Sequence, residues 1–530
     1  MIGARAITGV ASLLLLSGCS ATLPGQDPLT KAPASASTPW QPSSEQARHP
    51  RGSADASDYA RTPAIPDRVP VHDDELQLPE LVDIALRNSP ETRQTWAAAR
   101  AAAAAYGEAN APYYPSIEVG ATVGVERTEQ SGGRQFFEQF NYSPLAKLSW
   151  LLLDFGARSA GAEAAWQALA ASNWQHNQRI QDVVLAVATA YHMLIGRLAA
   201  LSAAEANLEA AQISEKSAER LREAGVGTIT DVLLARARRA QRVLDLVDRR
   251  GVVEISRGAL ATAMGLAANS KLDVVLSEQK PQLEWADINL DKVIDQALAQ
   301  RPDMAAAWAR LRASESAVSE AESDLWPTLS LEAGAAWKEL HGRSAPSSSS
   351  ESTDFSNRGF EGRAGLVLTY PLFEGFALSN AVRRKQALAD RARADAERQE
   401  QRVIEQVWNS YQNLTTAGQR VEASNELLSS AELSYESMLI SYRAGIAQIV
   451  ELLQAQSTLA DARSENANAR TFWYIALVQL AHDMGVIPLS GEPQPLESSV
   501  GRSPGQSVGS IDPLPTLTAM ESEAKAVSPR

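Results

Sequence analysis

Cys19 is the residue with the most explicit chemistry in the sequence. It is the only cysteine among 530 residues, and it closes the run Leu16-Ser17-Gly18-Cys19. Arg5 supplies a positive start and Val10 to Leu16 a short apolar stretch, so residues 1–18 read as a processing signal rather than structure. The small residues before the thiol suit a peptidase. The thiol itself is where a diacylglycerol and a palmitate would be attached, holding the chain to a membrane without a spanning helix. Ser20 follows, where an aspartate would signal inner-membrane retention. The expected location is therefore the outer membrane of a Gram-negative cell. Asp231 and Glu451 are the other candidates. Each is an acid six residues after a glycine, Gly225 and Gly445. Thr228-x-x-Asp231 has the spacing of a capping box, and an acid in a first helical turn is favoured by the helix dipole. Glu451 lacks such a cap, because Gln448 is a poor one.

Other chemistry is not encoded. His49, His72, His176, His192, His341 and His482 are scattered without ligand spacing, so no metal is expected. No glycine loop for phosphate and no nucleophile elbow occurs, so neither a cofactor nor an enzyme is expected. The net charge is −14 with no Lys/Arg-rich block, which argues against nucleic acid as a partner. No disulfide can form within the chain, so burial and assembly must stabilise it.

The elements that carry these residues occur twice. Leu81-Val82-Asp83-Ile84-Ala85-Leu86 returns as Val293-Ile294-Asp295-Gln296-Ala297-Leu298, 212 residues later. Pro115 and Pro327 keep that offset. Beyond them it becomes 220, pairing Asp154 with Glu374, Gly225 with Gly445, Asp231 with Glu451, and Met264-Gly265 with Met484-Gly485. Two copies of one fold that differ by one loop insertion explain this pattern. The repeats are 79–289 and 290–488. Residues 19–78 and 489–530 are Pro- and Ser-rich and read as extended or disordered flanks.

Each repeat alternates apolar and polar residues in two stretches. These are hairpins at 115–153 and 327–373, with polar connections near 127–143 and 339–361. Strands of about 10 residues suit a membrane barrel. Tyr113, Tyr114, Trp150, Trp326 and Tyr370 sit where an interfacial girdle would be. A soluble sandwich is the alternative. Long proline-free helices follow at 157–222 and 377–443, flanked by shorter ones at 79–112, 229–264, 290–325 and 450–485. Each short pair is about as long as one long helix and can stack along it. No stretch has 18 apolar residues in a row, so no spanning helix is expected.

Over 79–488 the chain resembles the TolC family of outer-membrane efflux and secretion ducts. The resemblance rests on the duplicated pattern, LLLDFG (151–156), YPLFEGF (370–376), AGVGTITDVLLAR (224–236) and YRAGIAQIVELLQAQ (442–456). It implies an α+β membrane protein, a homotrimer whose four strands per protomer form one outer-membrane β-barrel, continued by a long periplasmic α-helical barrel. An equatorial belt would include parts of 266–289 and 486–500. The implied function is the outer-membrane channel of a tripartite efflux system, with a periplasmic adaptor, an inner-membrane transporter and outer-membrane lipids as partners. A type I protein-secretion duct is the alternative, and a coiled-coil structural lipoprotein without a pore is the rival of another class. The resemblance also marks Asp231 and Glu451 as gate residues, and Arg222, Gly225, Tyr442, Arg443 and Gly445 as adaptor-docking tips. Gln454 and Ala447 depart from the family's acidic gate positions.

Overall fold

A computed structural model of the chain describes residues 28–41, 77–130, 135–270, 289–346 and 352–486. The expected signal, Cys19, most of the belt and the C-terminal flank lie outside the described residues.

Four strands form one antiparallel sheet in the order β1-β2-β3-β4: β1 Ser116–Gln130, β2 Gln135–Leu153, β3 Thr328–Pro346 and β4 Thr353–Thr369. Val119 faces Ala146, Leu148 faces Ala333, and Leu331 faces Leu366. Both faces of the sheet are open along β1 and β4, the apolar face included. Val119 is 74% exposed, Val125 72% and Leu368 69%. A soluble sandwich would bury that face, so the sandwich alternative fails. The strands have 15 to 19 residues rather than about 10, and much of each expected polar connection is strand. The ladder continues because it is made by the main chain. The polar extensions add cross-strand pairs, Arg343 with Glu138 and Lys338 with Glu361.

Among the described residues, eight α-helices follow the same duplication. The first repeat holds α1 Leu78–Asn88, α2 Pro90–Ala109, α3 Ala157–Glu223 and α4 Ile229–Ala263. The second holds α5 Leu290–Gln300, α6 Pro302–Ser323, α7 Ala377–Arg443 and α8 Ile449–Asp483. The apolar pattern predicts one helix over 79–112 and one over 290–325. Both are broken, at Pro90 and Pro302, because proline lacks the N–H and forces the preceding residue out of the helical region. Ser89 caps the first break by accepting from the Glu91 and Thr92 amides.

α3 and α7 each have 67 residues, about 100 Å of helix. α2 and α4 pack along one flank of α3, and α6 and α8 along another; α7 packs on α6 and α8. α7 buries Ala389, Ala396, Val403, Ser410, Ala417, Ser424 and Ala431 at a spacing of seven. That period, filled with small residues, is the seam of a tightly packed coiled coil. The most apolar part of α3 is long enough to span a bilayer by composition. Instead Ile180, Val187, Tyr191 and Leu194 pack on Leu81 and Leu86 of α1 and Leu260 of α4. Residues 28–41 are not a loose flank. They pack on α2 and α3, with Ala32 buried beside Ala99, Ala103 and Leu169.

α3 and α8 pack closely at Gly196, where a Cβ would collide with the side chain of Thr471. Gly196→Ala should therefore lower stability by about 1–3 kcal/mol. Thermal unfolding checks this, and Thr471→Ala in the same chain should restore part of the loss.

Candidate functional site

Each repeat ends its long helix in the same turn. Gly225 follows α3 with φ 75°, and Gly445 follows α7 with φ 74°. The Val226 amide donates to the Leu221 carbonyl at 3.0 Å, and the Ile446 amide to the Ser441 carbonyl at 2.9 Å. This is the left-handed helix stop for which glycine is cheapest. The structure brings both turns to one end of the protomer. Ala218, Val232 and Ala235 from the first share a core with Tyr442, Ile449 and Leu452 from the second.

The two acids sit one short turn further on. Asp231 completes a capping box: its carboxylate accepts from the Thr228 amide at 2.9 Å, and its own amide donates to the Thr228 hydroxyl at 3.2 Å. Glu451 is also a cap, contrary to the sequence reading. Its carboxylate accepts from the Gln448 amide at 3.1 Å. Gln448 is the N-cap and Glu451 the N3 residue of a capping box. Arg222 and Arg443 are exposed in the last turns of α3 and α7, where a cation suits the helix dipole. Tyr442 differs from the expectation of a docking surface. It is only 4% exposed, so it packs inside the tip. Burial and then the charge of Asp231 push its phenol pKa up. The apolar surface around the tips was not read from the sequence. Val226 is 72% exposed and Ile446 82%, with Val450, Leu233 and Ile440 also open.

A second constellation was missed. At the break between α5 and α6, Arg301 is almost fully buried and forks onto Asp303 at 2.6 and 3.0 Å. It also donates to Gln406 on α7 at 2.7 Å and to the Asp483 carbonyl at 3.1 Å. His482 then joins Asp483 at 3.1 Å to Asp182 on α3 at 3.0 Å. Asp182 continues to Arg179, which reaches Glu91 on α2 at 3.1 Å. Five helices are thereby tied by charge at one level. Burial pulls the His482 pKa down, but the hydrogen bonds and charges of Asp182 and Asp483 outweigh it and lift it to about 9. His192, by contrast, is stacked on Tyr474 without a carboxylate, and burial drops it to about 4. Among the described residues no group of three His, Cys, Asp or Glu is disposed to hold a metal.

An antiparallel sheet with an exposed apolar face and two unpaired edges, continued by paired long helices that end in matching glycine turns, defines the class of outer-membrane duct proteins. The family described as Outer membrane efflux protein matches residues 81–266 and 293–486, one block per repeat. Protein CyaE of Bordetella pertussis is 31% identical over 424 residues, covering 79% of this chain and 87% of that one. Outer membrane protein TolC of Escherichia coli is 24% identical, covering 76% and 80%. The solved outer-membrane channel OprN superposes with a TM-score of 0.65 at 25% identity, over 77% of this chain and 89% of that one. The chain belongs to the outer membrane efflux protein family. It is an outer-membrane efflux channel that reaches into the periplasm.

Two predictions arise here. Protonated His482 stabilises the fold, because its folded pKa lies above the ordinary value near 6.5. That stability is complete below pH 6.5 and is lost as pH rises through about 9. Melting temperature should therefore fall across this window, by the equivalent of on the order of 1–3 kcal/mol. His482→Gln should flatten the slope. At the tips, Gly225 and Gly445 have open space around the missing Cβ. Their Ala variants should lose only the left-handed backbone preference, about 1–2 kcal/mol each by denaturant unfolding.

Proposed function

We propose that three copies of the chain close one twelve-stranded barrel and a continuous helical cylinder, forming the outer duct of a tripartite efflux pump. One observation carries the reading. β1 and β4 are open edges of a sheet that leaves an apolar face exposed. Unpaired edges are not tolerated in lipid, and four strands cannot close on themselves. Further support comes from the helices. Leu244, Val247 and Ile255 on α4, with Trp408, Leu433 and Ile440 on α7, leave apolar side chains exposed along helices at the protomer's edges. Such stripes fit a neighbouring copy. Light scattering in mild detergent should give a trimer, and planar-bilayer recording should give a stable pore. A well-folded monomer without conductance would reject the reading.

Cys19 carries the lipid anchor in this proposal, so acyl mass should be found on the mature N-terminus. A periplasmic adaptor and an inner-membrane transporter bind at the tip end, where Arg222, Arg443, Val226 and Ile446 are exposed and Gly225, Gly445 and buried Tyr442 shape the turns. Co-purification separates an efflux transporter from a protein-secretion exporter. The duct performs no catalysis of its own.

Asp231 and Glu451 are proposed as the gate. Each spends one carboxylate oxygen on a cap and leaves the other free, so capping and gating are compatible. Six carboxylates around a trimer mouth would favour cations, and salt would weaken the effect over about 8–10 Å. Asp231→Asn with Glu451→Gln should lower cation preference in bilayer recordings. Unchanged selectivity would leave capping as their whole role.

A further inference from the structure

Residues 28–41 lie in a built groove. Asn173, His176 and Asn177 of α3 are buried to 0, 0 and 5% exposure, and all three turn toward this segment. The Asn177 side chain makes a two-way pair with the Trp40 backbone, accepting from its N–H and donating to its carbonyl, both at 2.7 Å. Asn173 donates to the Lys31 carbonyl at 3.0 Å, and the Trp40 indole donates to the same oxygen at 3.0 Å. His176 donates through Nε2 to the Thr38 carbonyl at 3.2 Å, while its Nδ1 pairs with the Thr95 hydroxyl at 2.9 Å. Trp96 donates to the Pro33 carbonyl at 3.0 Å. Trp40 packs edge-on against Trp174, with ring centroids 5.1 Å apart. Four carbonyls of an irregular segment are thus matched by helix side chains that have few other partners.

The segment also has a direction. Pro28 sits on Gly107, in the last turn of α2, where any Cβ would lie 2.6 Å from the proline ring. That end is nine residues before β1 begins. Trp40 sits at Trp174 and Asn177, 17 to 20 residues into α3, about 25–30 Å from the helix start nearest the sheet. The segment therefore runs from the membrane end toward the periplasm.

We infer that this groove is a receptor for the chain's own leader, and that it shortens the leash between the membrane anchor and the helices. The inference rests on the proposed lipid at Cys19. From Cys19 to the start of α1 at Leu78 there are 59 residues, which would reach about 200 Å and hold no position. From Cys19 to the docked Pro28 there are nine, which reach about 30 Å at most. Docking thus converts a loose tether into one that keeps the acyl group beside the strands while they enter the bilayer. Its partner is a specific peptide, defined by carbonyl spacing and the two tryptophans.

Lys31 is the first lysine of the chain and the next is Lys147, so a lysine-specific protease reports on the dock directly. With the full-length protein in detergent, Lys31 should resist cleavage. Trp40→Ala, which cannot disturb helix formation, and Asn173→Ala with Asn177→Ala should each speed cleavage there about tenfold, because cleavage follows the open population. Equal rates in all three proteins would overturn the dock. The leash is tested by deleting Ala21–Gly25, which leaves four residues of reach. Folded protein in the outer membrane should fall severalfold, and Trp40→Ala should restore it by releasing the long tether. A deletion without effect, or one that Trp40→Ala does not relieve, would overturn the leash. Absence of acyl mass on Cys19 would reject the anchor and with it the leash, while the Lys31 result would still decide the dock.

Discussion

The main-chain hydrogen bond in lipid is the constraint on which this architecture depends. A strand edge that faces hydrocarbon leaves amides and carbonyls unsatisfied, at several kcal/mol each. β1 and β4 present such edges. The exposed valines and leucines beside them prevent retreat into a soluble form. The helical part inherits the same incompleteness. α3 and α7 are too long to wrap a globular core, so they are satisfied sideways, α7 by mostly small residues at a spacing of seven and α3 by a mixture of alanines and larger apolar residues. In the proposed assembly one protomer is a segment of wall.

Duplication supplies the two halves of that wall, but the halves are not chemically equal. Where the first repeat has Ser89 as an ordinary cap, the second has Arg301 at the matching position. The neighbourhood changed with it. The first joint is apolar, with Met264, Leu260 and Leu86 in contact. The second is the charged chain from Glu91 to Arg301. Buried ion pairs rarely add much net stability, but breaking one is costly, so they favour one arrangement over others. The second joint is therefore suited to holding five helices in a single register.

Periodicity is why so much of this was legible. The alternating strands, the long helices and the tip glycines all follow from spacing along the chain. Three things were not legible, each for a physical reason. Hairpin length depends on main-chain pairing, which polar side chains neither require nor reveal. The charged joint links residues as far apart as Arg301 and Asp483, and each member alone resembles a solvated helix face. The leader's dock rests on Asn173, His176 and Asn177, polar residues inside an otherwise ordinary helix. Prolines 90 and 302 were visible, but the apolar pattern across them suggested one helix where the backbone makes two. Among the site residues, Asp231 was readable as a cap from its spacing. Glu451 was not, because Gln448, unlike Thr228, is not a residue that marks a cap.

The turn from sheet to long helix carries a further consequence. Both copies need two successive residues with positive φ, and they fill them in opposite order. The first has Phe155 and Gly156, the second Gly375 and Phe376. Each phenylalanine finds an aromatic neighbour: Phe155 stacks on Trp326, and Phe376 meets Phe373 edge-on. The geometry thus demands one flexible residue and tolerates one strained ring, indifferent to which comes first. A mutational route between the two orders runs downhill in strain through Gly-Gly. It runs uphill through Phe-Phe, which would force two side chains into the left-handed region at about 1–2 kcal/mol apiece. Sequence drift at this corner is therefore channelled, and a library that randomises both positions should return the two mixed orders and the double glycine far more often than paired aromatics.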